Sequence, residues 1–288
     1  MNTLLNNIGN TPIISLKRLF PHRRVFLKLE GQNPSGSVKD RVAEFLVTRA
    51  IERRTLRPGM RILEATSGNM GIALAMIGAV RGIGVTIVMS AGMSRERQQM
   101  IRALGADLIL TPAAQGTTGA RQKVRALQKM HPDKFWFADQ FGNPDNVKAH
   151  AQSLAPEILQ QVPAVQTIVA GVGTSGTVGG LVYFFQKHAP GVQIVGVLPP
   201  EGFGLQGLQH PDRDFRPAIW DPKSVEIFET TQKAAFSAVK QVAQKEGLLL
   251  GPSSGAMLSA ILSRKFLEPI VGISADRVEK YLSTDFLE

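Results

Sequence analysis

Cysteine is absent from all 288 residues. That excludes disulfides, thiolate metal ligation and a cysteine nucleophile, and it fits the cytosol. No apolar run is long enough to span a bilayer. The best candidate, Ile72 to Val80, is short and interrupted by Gly78. The opening Met1-Asn2-Thr3-Leu4-Leu5-Asn6-Asn7 lacks the basic and apolar regions of a signal peptide. Aromatic residues are scarce, at 6%. The basic residues behind the net charge of +10, among them Arg49, Arg53, Arg54, Arg57, Arg95, Arg97 and Arg102, are scattered and not interleaved with aromatics. The charge therefore reads as solubility plus attraction for small anions, not as a nucleic-acid face. The histidines, His22, His131, His150, His188 and His210, show no ligand spacing, so no metal site is expected.

What is present is a compact α/β pattern. Hydrophobic residues make up 43% and charged residues 19%, which suits a globular enzyme. Val25 to Glu30 alternates apolar and polar residues and reads as a strand. Asn33-Pro34-Ser35-Gly36-Ser37-Val38-Lys39-Asp40-Arg41 follows, with turn residues first and a helix to about Arg54 after. Ser35 or Ser37 can cap that helix, which places Lys39 in its first turn. A helix N-terminus and burial both disfavour an ammonium there. A lysine pushed toward its neutral amine is a nucleophile for aldehydes. The competing reading is a solvated surface lysine paired with Asp40 or a nearby glutamate.

Strands then alternate with helices. Strands are expected at 61–65, 85–89, 107–110, 135–138, 167–170, 193–197 and 269–273. Helices are expected at 72–80, 94–104 with Ser94 as cap, 119–130, 151–161, 181–188, 233–245 and from 256 to about 266. Residues 199–222 read as loop. This alternation predicts right-handed crossovers and a mostly parallel sheet, with the turn-rich stretch 139–146 as the crossing between domains.

Three loops at helix starts could bind a ligand. Gly171-Val172-Gly173-Thr174-Ser175-Gly176-Thr177-Val178-Gly179-Gly180 offers backbone N–H groups and hydroxyls suited to a phosphate. It is no Walker loop, because Leu181 follows Gly180 where lysine is needed. The dinucleotide fingerprint expects an acidic residue about twenty positions on, and Glu201 falls near there but inside a loop. A monophosphate is favoured. Thr66-Ser67-Gly68-Asn69 suits a carboxylate, and Ser253-Ser254 opens a third helix, where capping is the plain alternative. Asp276-Arg277 and Glu279-Lys280 read as solvated charge pairs. An activatable lysine, a phosphate cradle and a carboxylate loop together match the needs of pyridoxal 5′-phosphate.

The motifs Ile8-Gly9-Asn10-Thr11-Pro12, Lys28-Leu29-Glu30, Asn33 to Arg41, Glu64 to Gly71, Asp139 to Asn146, Gly173 to Thr177, Gly251 to Gly255 and Tyr281 to Thr284 resemble the cysteine synthases (O-acetylserine sulfhydrylases), closest to the B type. The resemblance implies a fold type II enzyme like the tryptophan synthase β chain, with two open twisted, mostly parallel sheets and flanking helices. It implies a smaller mobile domain at 39–138 and a larger one from 1–38 plus 139–288. Lys39 would carry pyridoxal 5′-phosphate as a Schiff base and take the substrate Cα proton. Asn69 would bond the cofactor's 3′-oxygen, Ser253 its pyridine nitrogen, and Gly173, Thr174, Ser175, Gly176 and Thr177 its phosphate. Thr66, Ser67, Gly68, Asn69 and Met70 would receive the substrate carboxylate, with help from Gln140. The implied reaction joins O-acetylserine and sulfide or thiosulfate, through an aminoacrylate, in a cytoplasmic homodimer that binds neither nucleic acid nor membrane. A serine or threonine dehydratase and a cystathionine-forming enzyme are the related alternatives. Met70 stands where the family commonly has threonine, Ala275 where B-type members often have cysteine, and Val278 where glycine is common. The 203–210 loop lacks the paired arginines of B-type members that accept large anionic donors.

Overall fold

The computed structural model describes residues 3–201, 204–209, 225–284 and 286. His210, and the parts of the expected 199–222 loop at 202, 203 and 210–222, lie outside the described residues. Among the described residues ten strands form two sheets. Strands β3 (Arg61–Ala65), β4 (Val85–Ser90), β5 (Asp107–Thr111) and β6 (Phe135–Phe137) make an all-parallel sheet ordered β5-β4-β3-β6. The other sheet is ordered β1-β2-β10-β7-β8-β9. It comprises β1 (Ile13–Ser15), β2 (Val25–Leu29), β7 (Thr167–Gly171), β8 (Gln193–Leu198), β9 (Glu226–Glu229) and β10 (Ile270–Ser274). Only the β1–β2 pair is antiparallel.

Helices cover both sheets, which is why central strands such as β4 are buried along their whole length. In the larger sheet, Ile168 and Ala170 pack into one apolar cluster and the intervening Val169 into the other. That is the period-two alternation of a strand between two helical layers. Helix α2 (Asn69–Arg81) is apolar around its whole circumference from Met70 to Gly78 and is accordingly buried. It stops at Gly82, which takes the left-handed conformation at φ 67°.

Helix α1 (Lys39–Glu52) begins at Lys39 itself. Ser37 Oγ accepts the Lys39 N–H at 3.3 Å, while Ser35 bonds the Asp40 carboxylate. Helix α3 (Arg95–Ala103) follows Ser94, but the Ser94 hydroxyl donates to the Lys280 carbonyl at 2.8 Å instead of capping. Helix α4 (Gly116–Met130) starts three residues before its expected start. The helix expected at 151–161 is two, α5 (Asp145–Gln152) and α6 (Leu154–Gln161), broken at Ser153. Helix α7 (Gly176–His188) begins five residues before its expected start. Helices α8 (Gln232–Glu246) and α9 (Pro252–Ser263) complete the larger layer.

Candidate active site

The loops that leave the carboxyl ends of β2, β3, β7 and β10 converge, as ligand sites do in open parallel sheets. They enclose a cavity of about 650 Å³ between the two sheets. Lys39, Thr66, Ser67, Asn69, Met70, Gln140, Gly173, Thr174 and Ser253 all line it. A narrow recess of about 40 Å³ opens beside Lys39, bounded by Gly173, Thr174, Ser175, Thr177 and Ser253. Of the expected site residues only Gly68 and Gly176 face neither space. Both are glycine for packing reasons. Gly68 sits at φ 153° with the Arg97 stem where a Cβ would project. At Gly176 a Cβ would overlap the Asn146 side-chain amide.

The Lys39 amine has no hydrogen-bond partner among the described residues. Burial lowers it from 10.5 to about 8, against the opposing pull of the Asp276 carboxylate. At the mouth of α7, Ser175 takes a left-handed conformation at φ 70° and its Oγ is buried without a partner. Thr174 Oγ1 accepts from Asn146 Nδ2 at 3.0 Å, and Thr177 Oγ1 lies 3.3 Å from His150 Nε2. Burial, and then the Lys39 and Arg41 charges, hold His150 well below its ordinary value, so it is neutral. Helix-start N–H groups and an unpartnered hydroxyl aimed at a small recess fit a phosphate.

The carboxylate loop is held from behind. Thr66 Oγ1 accepts the Gly68 N–H at 3.1 Å. Gln140 donates its side-chain amide to the Ala65 carbonyl at 3.1 Å, and its backbone N–H to Glu64 at 3.0 Å. Burial raises the Glu64 carboxyl to about 8. Met70 puts its side chain into the core beneath. Neither Ser253 nor Ser254 caps α9. Ser254 Oγ accepts the Ala275 N–H at 3.2 Å and lies 3.2 Å from Ser274 Oγ, tying α9 to β10. Ser253 faces the cavity and caps nothing. Residues 251–255 also have Gly-x-Ser-x-Gly spacing, but no described histidine bonds Ser253, so no hydrolase triad forms among the described residues.

Two groups read as solvated are buried instead. Asp276 is fully buried and Lys280 nearly so. Asp276 Oδ2 accepts from Asn69 Nδ2 at 2.7 Å and Tyr281 Oη at 2.6 Å, and Lys280 Nζ donates to the Gly36 carbonyl at 3.0 Å. The exposed pair is Arg277 with Glu279. Arg97, grouped with scattered surface basics, also lines the cavity.

A family profile described as "Pyridoxal-phosphate dependent enzyme" matches residues 4–271. The chain belongs to that family. Pyridoxal phosphate is therefore its cofactor, and the two-sheet architecture is that of fold type II pyridoxal-phosphate enzymes. The cavity fits the group, with an unpaired lysine amine for the aldehyde and a hydroxyl-lined recess for the phosphate. Relatives agree along nearly the full chain. Cysteine synthase B of Salmonella typhimurium is 40% identical over 291 residues, covering 99% of this chain and 95% of the relative. The Escherichia coli cysteine synthase B gives the same identity and coverage. Among solved structures, an O-ureido-L-serine synthase matches with TM-score 0.93 and 34% identity, over 99% of this chain and 95% of that one. O-acetylserine sulfhydrylase isoform 3 of Entamoeba histolytica matches with TM-score 0.88 and 38% identity, over 99% and 91%.

Proposed function

We propose that the chain is a cysteine synthase that replaces the β-acetoxy group of O-acetyl-L-serine with sulfide or thiosulfate, releasing acetate and giving L-cysteine or S-sulfocysteine. The observation that carries this is the Lys39 amine, lowered to about 8, on the wall of a cavity shared by a phosphate recess and a carboxylate loop. The pyridoxal-phosphate family and the cysteine synthase relatives support the same reaction.

When bound, pyridoxal phosphate supplies an electron sink for the charge left at Cα. Lys39 Nζ would hold the aldehyde, and as a free amine it would take the substrate Cα proton. An amine near 8 is suited to both tasks at neutral pH, since part of it is already unprotonated. Gly173, Thr174, Ser175, Gly176 and Thr177 hold the phosphate, with Ser175 Oγ as the free donor. Asn69 would donate to the 3′-oxygen with the N–H that Asp276 leaves it. Ser253 would meet the pyridine nitrogen with a neutral hydroxyl, which need not protonate the ring and would favour loss of the β-group over transamination. The N–H groups and hydroxyls of 66–70 grip the carboxylate, and Gln140 braces that loop.

Purified holoenzyme given O-acetylserine and sulfide should produce cysteine and acetate, and given L-serine alone should not produce pyruvate. Pyruvate without cysteine would favour a dehydratase. The reading extends to a cytoplasmic homodimer, and a solution mass equal to the 31.2 kDa monomer would remove the dimer. No helix among the described residues is long and apolar enough to cross a membrane. It also extends to movement of residues 39–138 against 1–38 plus 139–288 when substrate binds. The contacts of Asn69 with Asp276 and of Ser94 with Lys280 run between these two parts. An unchanged scattering profile on adding O-acetylserine would argue against that movement.

A further inference from the structure

Arg97 lies in the first turn of α3 and is 2% exposed. A buried guanidinium is costly unless an anion pairs with it. Arg97 has no carboxylate partner among the described residues. Its Nη1 donates to the Ser67 carbonyl at 3.3 Å and to Gln206 Oε1 at 2.9 Å, both neutral oxygens. Its guanidinium carbon stands 4.4 Å from the centre of the Tyr281 ring, and its Nε is buried with no partner. Neighbouring carboxylates bond other donors, although Asp276 Oδ1 is buried with no partner. Glu96 accepts from Ser283 N and Oγ at 2.6 and 2.7 Å, and Asp276 accepts from Asn69 and Tyr281. Arg97 nonetheless forms part of the wall of the 650 Å³ cavity, beside Thr66, Ser67 and Asn69.

We propose that Arg97 is the positioning residue that makes loop 66–69 select a substrate bearing an α-carboxylate. The proposal rests on the reaction site argued above. Arg97 acts in two ways. It ties up the Ser67 carbonyl, an acceptor that would otherwise repel a carboxylate, and its stem fixes the backbone at Gly68, where only glycine leaves room. It also places a fixed positive charge, ion-paired with no described carboxylate, on the wall of the cavity, where a cleft focuses the field of a fixed charge on an anionic ligand. Tyr281 and Gln206 hold the planar group in place, a task that a lysine cannot take over.

The test uses holoenzyme and two amine ligands, L-serine and ethanolamine, which differ by the carboxylate. Each is titrated while the visible band of the bound cofactor is followed. Arg97→Met should weaken L-serine binding by at least tenfold and ethanolamine binding by less than twofold. Arg97→Lys, which keeps the charge and tolerates burial better than a full truncation, should weaken L-serine by roughly threefold to tenfold. L-serine binding unchanged in the Lys variant, or equal losses for the two ligands in either variant, would overturn the proposal. Failure of the site reading itself looks different: wild-type holoenzyme would respond to neither amine.

Discussion

Replacing Lys39 with methionine should make the cofactor-free protein more stable while ending its chemistry. The amine is lowered from 10.5 to about 8 by burial. With about 1.4 kcal/mol per pKa step, keeping it ionised at pH 7 costs the fold about 3 kcal/mol. Methionine has a similar stem and no charge, so Lys39→Met should recover most of that at pH 7. The sign follows from linkage. Between about 8 and 10.5 the unfolded chain binds a proton at this lysine that the folded chain does not, so stability rises with pH through that window. The variant should lack this rise. Glu64, raised from 4.5 to about 8, gives the opposite slope between those values, but it is common to both proteins and cancels in their difference. The assay is urea unfolding of both cofactor-stripped proteins at several pH values from 7 to 10. A variant no more stable at pH 7, or one that keeps the wild-type slope, would refute the reasoning.

Three further outcomes are expected. Gly176→Ala forces a Cβ onto the Asn146 amide and should cost about 1–3 kcal/mol in unfolding free energy, with faster cofactor loss on dialysis. Asp276→Asn removes the charge that raises Lys39, so Lys39 should fall further below about 8. The acidic limb of the kcat profile, which reads Lys39 as a free base in the substrate complex, should then move to lower pH, and weaker bonds to Asn69 and Tyr281 should cost about 1–3 kcal/mol in urea melts. Ser253→Asp should raise the share of turnovers ending in transamination, measured as keto-acid product. An unchanged product ratio would count against the role given to the neutral hydroxyl.

Local sequence carried the parts of the fold whose causes are local. The β3 and β7 strands are short apolar runs with a helix after each. Lys39 follows a turn made by Pro34 and Gly36, so its place at the start of α1 could be read directly. Elements fixed by distant contacts were harder. Pro144 marks a turn in sequence, yet it stands just before Asp145, the first residue of α5, because proline is preorganised for a helix start. The glycines from 176 to 180 hid the beginning of α7, since glycine is a poor helix former. There the close approach of Gly180 to the His150 Cβ and to the Val147 and Ala151 backbone decides the matter. Strand β9 has only four residues at the sheet edge and carries too short a pattern to separate it from a loop.

The site divides in the same way. The loops that bear Thr66 to Asn69, Gly173 to Thr177 and Ser253 were legible because glycine and hydroxyl residues at strand-to-helix junctions have a physical reason to be there. Arg97, Asp276 and Lys280 were not. Each sits among charges that look solvated, and contact between the C-terminal segment and distant parts of the chain buries them: Arg97 lies over Tyr281, Asp276 bonds Asn69, and Lys280 bonds the Gly36 carbonyl. Composition along the chain contains no sign of that contact.

The most direct test is borohydride reduction of the holoenzyme followed by peptide mapping. The pyridoxyl group should be found on Lys39 alone. A label on another lysine, or none on folded protein supplied with cofactor, would contradict the account.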